Sequence, residues 1–252
     1  MESNSKKVVV TGASSGIGQA TALRFAQEGW DVCITARREN NLQELAAQFP
    51  PGIHLCVPGD YSDRETVEKI GAAVQERWGH VDVLANVAGA YFAADAINSP
   101  LAEWRRSFDT MINGAVYMTR MAVPLMPDGG RVIHVTSIHG ERSEIGSSSY
   151  AMAKAAINQY CRGLAQELAP RNILVNAVAP GFIRTEMSVV NGVNELDGEW
   201  FRKNYLEGHH LPLKRAGRPE EVAGVIFFLA GPDATYLTGQ VITVDGGLTI
   251  TF

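Results

Sequence analysis

Short apolar runs rich in β-branched residues alternate with longer segments of helical periodicity from the N-terminus almost to the end of the chain. This alternation is typical of repeated βα units, in which helices cover both faces of a parallel sheet. The pattern therefore predicts one doubly wound α/β domain over residues 1–252, built on a seven-stranded parallel sheet.

The boundaries of the predicted elements follow from Gly, Pro and capping side chains between the periodic segments. Strands are expected at residues 7–11, 31–35, 53–57, 81–84, 131–136, 173–178 and 241–244. Helices are expected at residues 17–28, 40–49, 63–78, 104–125, 150–168 and 219–230.

One stretch, residues 187–218, interrupts this rhythm. Gly, Asn, charged residues and the pair His209 and His210 replace the periodic apolar pattern there. Such a stretch is either a surface insertion or a mobile lid. Because long irregular loops in compact domains are more often functional, we expect a lid over a substrate site.

Three glycines lie between the first predicted strand and the first predicted helix: Gly12, Gly16 and Gly18. Glycines in such a turn let the backbone approach a pyrophosphate and let the helix pack closely on the strand. The N-terminus of the helix adds unpaired N–H groups and the positive end of its dipole. The spacing differs from the common G-x-G-x-x-G fingerprint, but the strand-turn-helix context predicts a dinucleotide site in a Rossmann-type fold.

The end of the second predicted strand indicates which dinucleotide binds. An acidic residue there suits the ribose 2′-hydroxyl of NAD, whereas arginine suits the 2′-phosphate of NADP. Arg37 and Arg38 occupy this place, and no carboxylate precedes Glu39. We therefore expect NADP to be preferred, with NAD as a second cofactor. The alternative is that both arginines are solvated charges at the start of a helix.

Composition and charge narrow the class of protein and its partners. Hydrophobic residues make up 46% and charged residues 19% of the chain, which are ordinary values for a folded protein. The formal net charge of -5 gives no general attraction to nucleic acid or anionic lipid. The apolar runs are shorter than the roughly 20 residues that span a bilayer, and the polar N-terminus lacks a leader pattern. A cytoplasmic protein is expected.

The three cysteines, Cys33, Cys56 and Cys161, are widely separated and lack the paired spacing of metal ligands. Each lies in an apolar, element-like stretch, where free cysteine packs as a small hydrophobic residue. Buried reduced thiols are therefore expected, with neither a disulfide nor a metal site.

Tyr150 and Lys154 are four residues apart in a predicted helix, so they share one face of it. A phenol with a pKa of about 10 is a poor acid or base at neutral pH, and an adjacent ammonium lowers that pKa by favouring the phenolate. The pair therefore suits proton transfer. The alternative, if the pair is taken alone, is a surface Tyr and Lys without a function.

Five motifs occur in a fixed order along the chain: residues 11–18, Asn86-Val87-Ala88-Gly89, Ser137, Tyr150-Ala151-Met152-Ala153-Lys154 and residues 180–185. Together they resemble the short-chain dehydrogenase/reductase family, and in particular its 3-oxoacyl-[acyl-carrier-protein] reductase-like members. The resemblance covers nearly the whole chain. Val87 departs from the commoner second asparagine, and we expect this change to be harmless.

The resemblance implies roles for four catalytic residues. Tyr150 gives a proton to the carbonyl oxygen, or takes one from the alcohol, while hydride moves from or to the nicotinamide. Lys154 binds the nicotinamide ribose and tunes Tyr150, and Ser137 bonds the carbonyl oxygen. Asn113 holds a water in a proton relay, with a purely local bond in its helix as the alternative.

The resemblance also implies a set of cofactor contacts: Gly12, Ser14, Ser15, Gly16, Ile17, Gly18, Arg37, Arg38, Asp60, Tyr61, Asn86, Ala88, Gly89, Tyr150, Lys154, Pro180, Gly181, Ile183 and Thr185. Asp60 resembles the carboxylate that meets the adenine amino group, with a helix N-cap region as the alternative. His139 and Met187 join Ser137 and Tyr150 as expected substrate contacts. The C-terminal region resembles one that packs between subunits, which implies a homotetramer.

The expected reaction is NADP(H)-dependent hydride transfer to or from a ketone/secondary alcohol pair, as in a 3-oxoacyl-[acyl-carrier-protein] reductase-like carbonyl reductase. An acyl-carrier protein would need a basic docking face near the site. Arg131 and Arg171 are the candidates for it, with solvated turn charges as the alternative.

Two other functions stay open. A sugar or polyol dehydrogenase, or a tailoring reductase of secondary metabolism, would use the polar side chains of the irregular stretch: Asn191, Asn194, Glu195, Asp197, Glu199, His209 and His210. A non-catalytic regulator that senses dinucleotides is disfavoured, because such proteins typically lose the acid-base residues that Ser137, Tyr150 and Lys154 supply here.

Overall fold

The computed structural model describes residues 5–251. Within them the strands are β1 (Lys7–Thr11), β2 (Asp31–Thr35), β3 (Leu55–Cys56), β4 (Val83–Asn86), β5 (Arg131–Val135), β6 (Leu174–Pro180), β7 (Val189–Val190), β8 (Val193–Asn194) and β9 (Val241–Val244). The α-helices are α1 (Gly16–Gln27), α2 (Glu39–Ala46), α3 (Arg64–Trp78), α4 (Leu101–Ser107), α5 (Asn113–Ala122), α6 (Ser148–Leu168), α7 (Glu199–Phe201) and α8 (Pro219–Ala230). The π-helical turns are Phe108–Ile112 and Arg202–Glu207.

Seven of these strands form one parallel sheet in the order β3-β2-β1-β4-β5-β6-β9. The chain builds the sheet outward from β1 to β3, returns to the centre, and continues from β4 to β9. The carboxyl ends of β1 and β4 are therefore adjacent where the order reverses, which is the place where open α/β sheets bind ligands. The predicted doubly wound, Rossmann-type fold is confirmed.

The core lies on both faces of this sheet, because successive side chains of a strand point to opposite faces. Every residue of β1 and β2 is buried. On one face α1 and α8 pack together, where the ring of Phe25 meets those of Trp30 and Phe227 edge to face at centroid distances of 5.0 and 5.1 Å. Helices α3, α5 and α6 cover the other face, where their buried side chains pack with those of the strands in a second hydrophobic cluster.

Two strands differ from their predicted extents. β4 begins at Val83, because the N–H of Val81 bonds the carbonyl of Leu125 instead of a neighbouring strand. β3 pairs with β2 only through Leu55 and Cys56, at the edge of the sheet. The expectation that Cys56 is buried is wrong for this reason: an edge strand leaves it exposed, whereas the thiols in the interior are buried.

The helix predicted over residues 104–125 is interrupted. The π-helical turn Phe108–Ile112 separates α4 from α5 and holds one residue more than an α-helical turn. Gly114 follows in α5, where a Cβ would lie 2.1 Å from Cε2 of Tyr61. The absence of a side chain at Gly114 therefore lets the buried Tyr61 ring lie directly against α5.

The irregular stretch, residues 187–218, has a small core of its own. Its β7–β8 hairpin turns through Asn191 and Gly192, which have φ values of 50° and 80°. The Phe182 ring packs against those of Phe201 and Tyr205 at centroid distances of 5.1 and 4.7 Å. The stretch is thus a packed insertion, and its movement as a lid stays a prediction.

No helix in the described part of the chain is long and apolar enough to cross a membrane. Nor do three or more His, Cys, Asp or Glu side chains between residues 5 and 251 come together as a metal site requires.

Candidate active site

The glycine-rich turn joins β1 to α1 through backbone conformations that favour glycine. Gly12 has a φ of 71° and Gly16 a φ of 54°. A Cβ on Gly12 would lie 2.7 Å from Cα of Ala88, and one on Gly18 would lie 2.2 Å from the Gly12 carbonyl oxygen. The turn is therefore too tight for side chains, and it exposes bare backbone at the N-terminus of α1 as a pyrophosphate requires.

Thr11 connects this turn to the neighbouring strand. Its hydroxyl oxygen accepts hydrogen bonds from the N–H groups of Val87 and Ala88, both at 3.0 Å. The segment after β4 is thereby held against the glycine turn. The buried Asn86 adds a contact of 3.4 Å between its Nδ2 and Nδ1 of His134 on β5.

Arg38 lies over the start of α1. Its NH2 group donates to the hydroxyl of Ser14 at 3.0 Å and to that of Ser15 at 2.7 Å. Its NH1 group pairs with Oε2 of Glu186 at 2.6 Å. Arg37 is exposed beside it. A guanidinium and two hydroxyls at this place are the donors that a 2′-phosphate would use.

Asp60 and Tyr61 follow β3 and make different contacts. Oδ1 of Asp60 accepts from the N–H of Ser62 at 2.9 Å and from its hydroxyl at 2.7 Å. The Tyr61 hydroxyl donates to the carbonyl oxygen of Ala88 at 3.2 Å. Tyr61 therefore supports the segment that carries Ala88, and contacts of both residues with a cofactor stay predictions.

Tyr150 lies near the start of α6, beside the carboxyl end of β5, and is 8% exposed. The Ser137 hydroxyl lies close enough to the Tyr150 hydroxyl to lower the pKa of Tyr150. The rings of Tyr91 and His139 meet the Tyr150 ring edge to face, at centroid distances of 5.4 and 5.8 Å. Ser137 and Tyr150 are thus together in a partly enclosed recess, where their hydroxyls can bond the same oxygen atom.

Burial controls the protonation of the Tyr150 and Lys154 pair. It raises the pKa of Tyr150 to about 12, with the hydrogen bond from Ser137 opposing the rise and the Tyr91 phenol adding to it. It lowers the pKa of Lys154 to about 8. The net shift of the Tyr150 pKa is therefore upward, opposite to the lowering expected from Lys154, because burial outweighs the effect of an ammonium that lies 5.6 Å from the ring centroid.

Lys154 is 3% exposed and is fixed between β5 and the segment after β4. Its Nζ donates to the carbonyl oxygen of Val135 at 3.0 Å, and a Cβ on Gly89 would come within 3.3 Å of it. Burial and the charge of Lys154 lower the pKa of the neighbouring His134 to about 4. The ammonium therefore lies between Val135 and Gly89, beside the imidazole of His134.

The π-helical turn that precedes Asn113 packs against the same helix. Met111 in that turn packs with Tyr150 and Ala153 in a small buried cluster. Asn113 then begins α5 in a half-buried position. Its role in a proton relay stays a prediction.

The segment after β6 crosses the glycine turn. A Cβ on Gly181 would meet Cβ of Asp245 at 2.7 Å, so only glycine fits where the segment leaves Pro180. Ile183 is buried. The Thr185 methyl group would lie 3.0 Å from a Cβ on Gly16, which shows direct contact between segment and turn.

We use the name mouth for the surroundings of the Tyr91 and His139 rings, which contact Tyr150. Glu144 contacts His139 there, and Glu195 and Tyr205 are within electrostatic range. Sequence reasoning missed Tyr91, Glu144, Glu195 and Tyr205 or did not place them there. Nε2 of His139 lies 3.5 Å from Oε2 of Glu144. Burial raises the pKa of Tyr91, and the carboxylates of Glu144 and Glu195 raise it further. Burial and Glu144 have the same effect on Tyr205. Tyr91, Glu195 and Tyr205 come from segments that are distant from His139 in the sequence, whereas Glu144 follows His139 by five residues and belongs to no motif. Met187, the other expected substrate contact, is about half exposed.

Arg131 and Arg171 are the candidates for a basic docking face. They lie at the amino ends of β5 and β6. Arg131 begins β5, and its NH1 donates to the carbonyl of Gly130 at 3.1 Å. Arg171 precedes β6, donates to the carbonyl of Val123 at 3.0 Å and pairs with Asp128. Within one chain these arginines therefore lie away from the recess, which is at the carboxyl ends of these parallel strands, and their role in docking an acyl-carrier protein stays a prediction.

Comparison with known proteins identifies the family. The family model described as Enoyl-(Acyl carrier protein) reductase matches residues 12–249. A solved structure from Brucella melitensis, a short-chain dehydrogenase/reductase described as a glucose/ribitol dehydrogenase, is 32% identical with a TM-score of 0.88 and covers 98% of both chains. This chain belongs to the short-chain dehydrogenase/reductase family. It is therefore an oxidoreductase of the class that acts on CH–OH and C=O groups.

Relatives in the short-chain dehydrogenase/reductase family differ in substrate. The 3-oxoacyl-[acyl-carrier-protein] reductase FabG of Thermotoga maritima is 39% identical over 99% of this chain and 100% of its own. The meso-2,3-butanediol dehydrogenase of Serratia marcescens is 34% identical over 99% of this chain and 96% of its own. Both alignments span the whole domain, so family membership does not choose between such substrates.

Proposed function

We propose that this protein transfers hydride between NADP(H) and a ketone or secondary alcohol, with Tyr150 as the acid and base. The observation that carries the proposal is the placement of the Ser137 and Tyr150 hydroxyls near each other at the carboxyl end of β5, beside the buried Lys154. Two hydroxyls at one point give a carbonyl oxygen two hydrogen bonds. Their burial strengthens these bonds by keeping water away.

The residues around the glycine turn fit NADP(H). The tight turn leaves backbone N–H groups free at the start of α1, where the helix dipole favours phosphate. Arg38 and the hydroxyls of Ser14 and Ser15 supply charge-assisted donors for a 2′-phosphate. These groups support a preference for NADP(H), with NAD(H) as the weaker cofactor. When bound, the nicotinamide supplies or accepts the hydride.

Side chains of the protein supply the proton that the carbonyl oxygen receives. Because the pKa of Tyr150 is raised to about 12, its hydroxyl is protonated at neutral pH and ready to give a proton to a carbonyl oxygen. Ser137 donates a second hydrogen bond to that oxygen. The Lys154 ammonium, on the same face of α6, offsets the charge that forms on Tyr150. Asn113 holds a water through which that proton is replaced.

The change Tyr150→Phe tests the mechanism, because it removes the hydroxyl and keeps the ring. We expect turnover of ketones to fall about 10²–10⁴-fold, the usual worth of general acid-base catalysis, while NADPH binding is retained. Tyr160→Phe, on the same helix, is the matched control and should leave turnover unchanged. Full activity of the Tyr150→Phe variant contradicts the proposal.

The competing class of function is a regulator that senses a dinucleotide without catalysis. The same assay separates the two classes, since a regulator binds NADPH but turns over no member of a broad ketone and alcohol panel with either cofactor. The carbonyl chemistry of Ser137, Tyr150 and Lys154 supports the enzyme.

We infer a homotetramer in the cytoplasm from the family resemblance. Large apolar side chains near the C-terminus, those of Tyr236 and Ile250, are exposed on the single chain. Exposed apolar surface of this kind often marks protein contacts. Light scattering during size-exclusion chromatography tests the inference: four times the mass of one chain is expected, and the mass of a single chain contradicts it.

A further inference from the structure

Any group next to the carbonyl carbon of a substrate must pass the mouth. The carbonyl oxygen is held by Ser137 and Tyr150, and the rings of Tyr91 and His139 stand edge-on against Tyr150 on its exposed side. His139 follows Ser137 by two residues, and its backbone N–H donates to the Ser137 hydroxyl oxygen at 3.2 Å, while its ring lies 5.8 Å from the Tyr150 ring. The neighbours of the carbonyl carbon therefore meet His139.

The side chains of His139 and Glu144 retain unused hydrogen-bonding capacity. Their separation of 3.5 Å is longer than the ordinary N–H···O distance of about 2.7–3.2 Å. Nδ1 of His139 is buried without a hydrogen-bond partner among the described residues, so Nε2, which faces Glu144, is the ring nitrogen that can bond a substrate. The Glu144 side chain is 46% exposed toward the mouth and can accept further bonds. A donor and an acceptor at this separation match a group that both accepts and donates, such as a hydroxyl.

The charge at the mouth is negative. The carboxylates of Glu144 and Glu195 both act on the Tyr91 phenol. Within residues 5–251, no Lys or Arg is among the charges that shift the pKa of Tyr91, Tyr205 or His139. Arg184, which begins the approach to the irregular stretch, is paired with both carboxylate oxygens of Asp197 at 2.9 and 2.7 Å. An anionic substituent placed against His139 and Glu144 would therefore meet the repulsion of the Glu144 carboxylate.

We propose that His139 and Glu144 select substrates with a hydroxyl on the carbon next to the carbonyl, that is, neutral hydroxyketones and the corresponding vicinal diols, and reject a carboxylate there. The inference rests on the proposed carbonyl chemistry of Tyr150 and specifies its substrate class. The substrate hydroxyl accepts from the His139 N–H and donates to the Glu144 carboxylate. The carbonyl oxygen keeps its bonds to Ser137 and Tyr150.

Three methyl ketones that differ in one substituent test this selection. 1-Hydroxypropan-2-one carries the hydroxyl, butan-2-one has a methyl group in its place, and pyruvate has a carboxylate. We expect the wild-type kcat/KM with NADPH to be at least about tenfold higher for the hydroxyketone than for butan-2-one, as a hydrogen bond to a charged group would give. Pyruvate should be the slowest of the three.

Glu144→Gln is the decisive variant. It should lower kcat/KM for the hydroxyketone about tenfold, mainly through KM, and leave butan-2-one unchanged. Glu141→Gln is the matched control, because Glu141 lies three residues earlier and pairs with Arg162 at 3.9 Å; it should change none of the three rates. His139→Phe keeps a ring against Tyr150 but removes both nitrogens, and it should also lose the preference for the hydroxyl.

The outcomes separate this inference from the proposed function. An equal loss on the hydroxyketone and on butan-2-one in Glu144→Gln, or an unchanged preference in both mouth variants, overturns the selection by His139 and Glu144 and leaves the Tyr150 chemistry standing. A wild-type protein that reduces no ketone with either cofactor overturns the proposed function, and the selection with it.

Discussion

The Arg38 guanidinium contacts the Glu186 carboxylate at 2.6 Å, so an ion pair closes across the glycine-rich turn. Both side chains are about half exposed, and such pairs stabilise a fold little because solvent screens them. The position of the pair matters more than its energy. Glu186 occupies part of the guanidinium that a 2′-phosphate would bind, and it places a negative charge beside that phosphate.

Glu186→Gln should therefore raise the affinity for NADPH about fivefold, because it frees Arg38 and removes the repulsion. Affinity for NADH, which lacks the 2′-phosphate, should change less. Fluorescence titration with both cofactors measures the two dissociation constants. Arg38→Ala should move the ratio of these constants in the opposite direction. Arg37→Ala is the comparison variant, because the contacts to Ser14 and Ser15 are made by Arg38. Cofactor ratios that stay at the wild-type value in all three variants contradict the assignment.

The lowered pKa of Lys154 predicts how ketone reduction depends on pH. The ammonium is present below about pH 8 and is lost as the pH rises through that value, whereas Tyr150, with its pKa raised to about 12, stays protonated. The kcat/KM for the ketone should therefore decline above about pH 8. The variant Lys154→Arg keeps its positive charge at high pH. It should be less active than the wild type, but its activity should decline only at a higher pH. A wild-type rate that is flat across this range contradicts the role given to Lys154.

The buried His134 predicts a loss of stability in acid. Burial, followed by the charge of Lys154, lowers its pKa from an ordinary 6.5 to about 4 in the folded state. Between these values the unfolded chain binds more protons than the folded chain, so stability falls as the pH falls. This group contributes a loss of about 2 kcal/mol between pH 7 and pH 5. Urea unfolding of the wild type and His134→Asn at both pH values measures it: the variant should show the smaller loss, and equal losses contradict the prediction.

The close approach of Tyr61 to α5 predicts opposite effects of one substitution at two glycines. Gly114→Ala places a methyl group 2.1 Å from Cε2 of Tyr61, so it should destabilise the protein by about 1–3 kcal/mol despite the better helix propensity of alanine. Gly163→Ala in α6 is the matched control, because nothing lies within 4 Å of its Cβ. That change should stabilise by about 1 kcal/mol. Denaturant unfolding that gives both variants the same sign contradicts this packing argument.

Elements with strong local signals could be predicted to the residue. β1 and β2 are continuous apolar runs between polar turns, and α8 begins at Pro219, whose fixed φ and missing N–H suit the first position of a helix. The glycine turn and the pairing of Tyr150 with Lys154 depend on local spacing as well. These features follow from the chain alone because neighbours in sequence determine them.

Features that depend on tertiary contacts could not be predicted. The π-helical turn preserves the apolar pattern of its helix, so periodicity does not indicate it. Glu186 meets Arg38 across the fold, and Glu144, five residues after His139, belongs to no motif. The β7–β8 hairpin is different. Asn191 and Gly192 between valines are a recognised hairpin signal, so this hairpin could be predicted from local sequence.

The π-helical turn Phe108–Ile112 sets the rotational phase of α5. An α-helix advances by about 100° per residue, so the extra residue turns everything after it by that angle relative to α4. Gly114 meets the Tyr61 ring in this phase only. A chain with one residue deleted from the turn would keep every motif of the family, yet it would present a different side of α5 to Tyr61 and turn Asn113 away from its present direction.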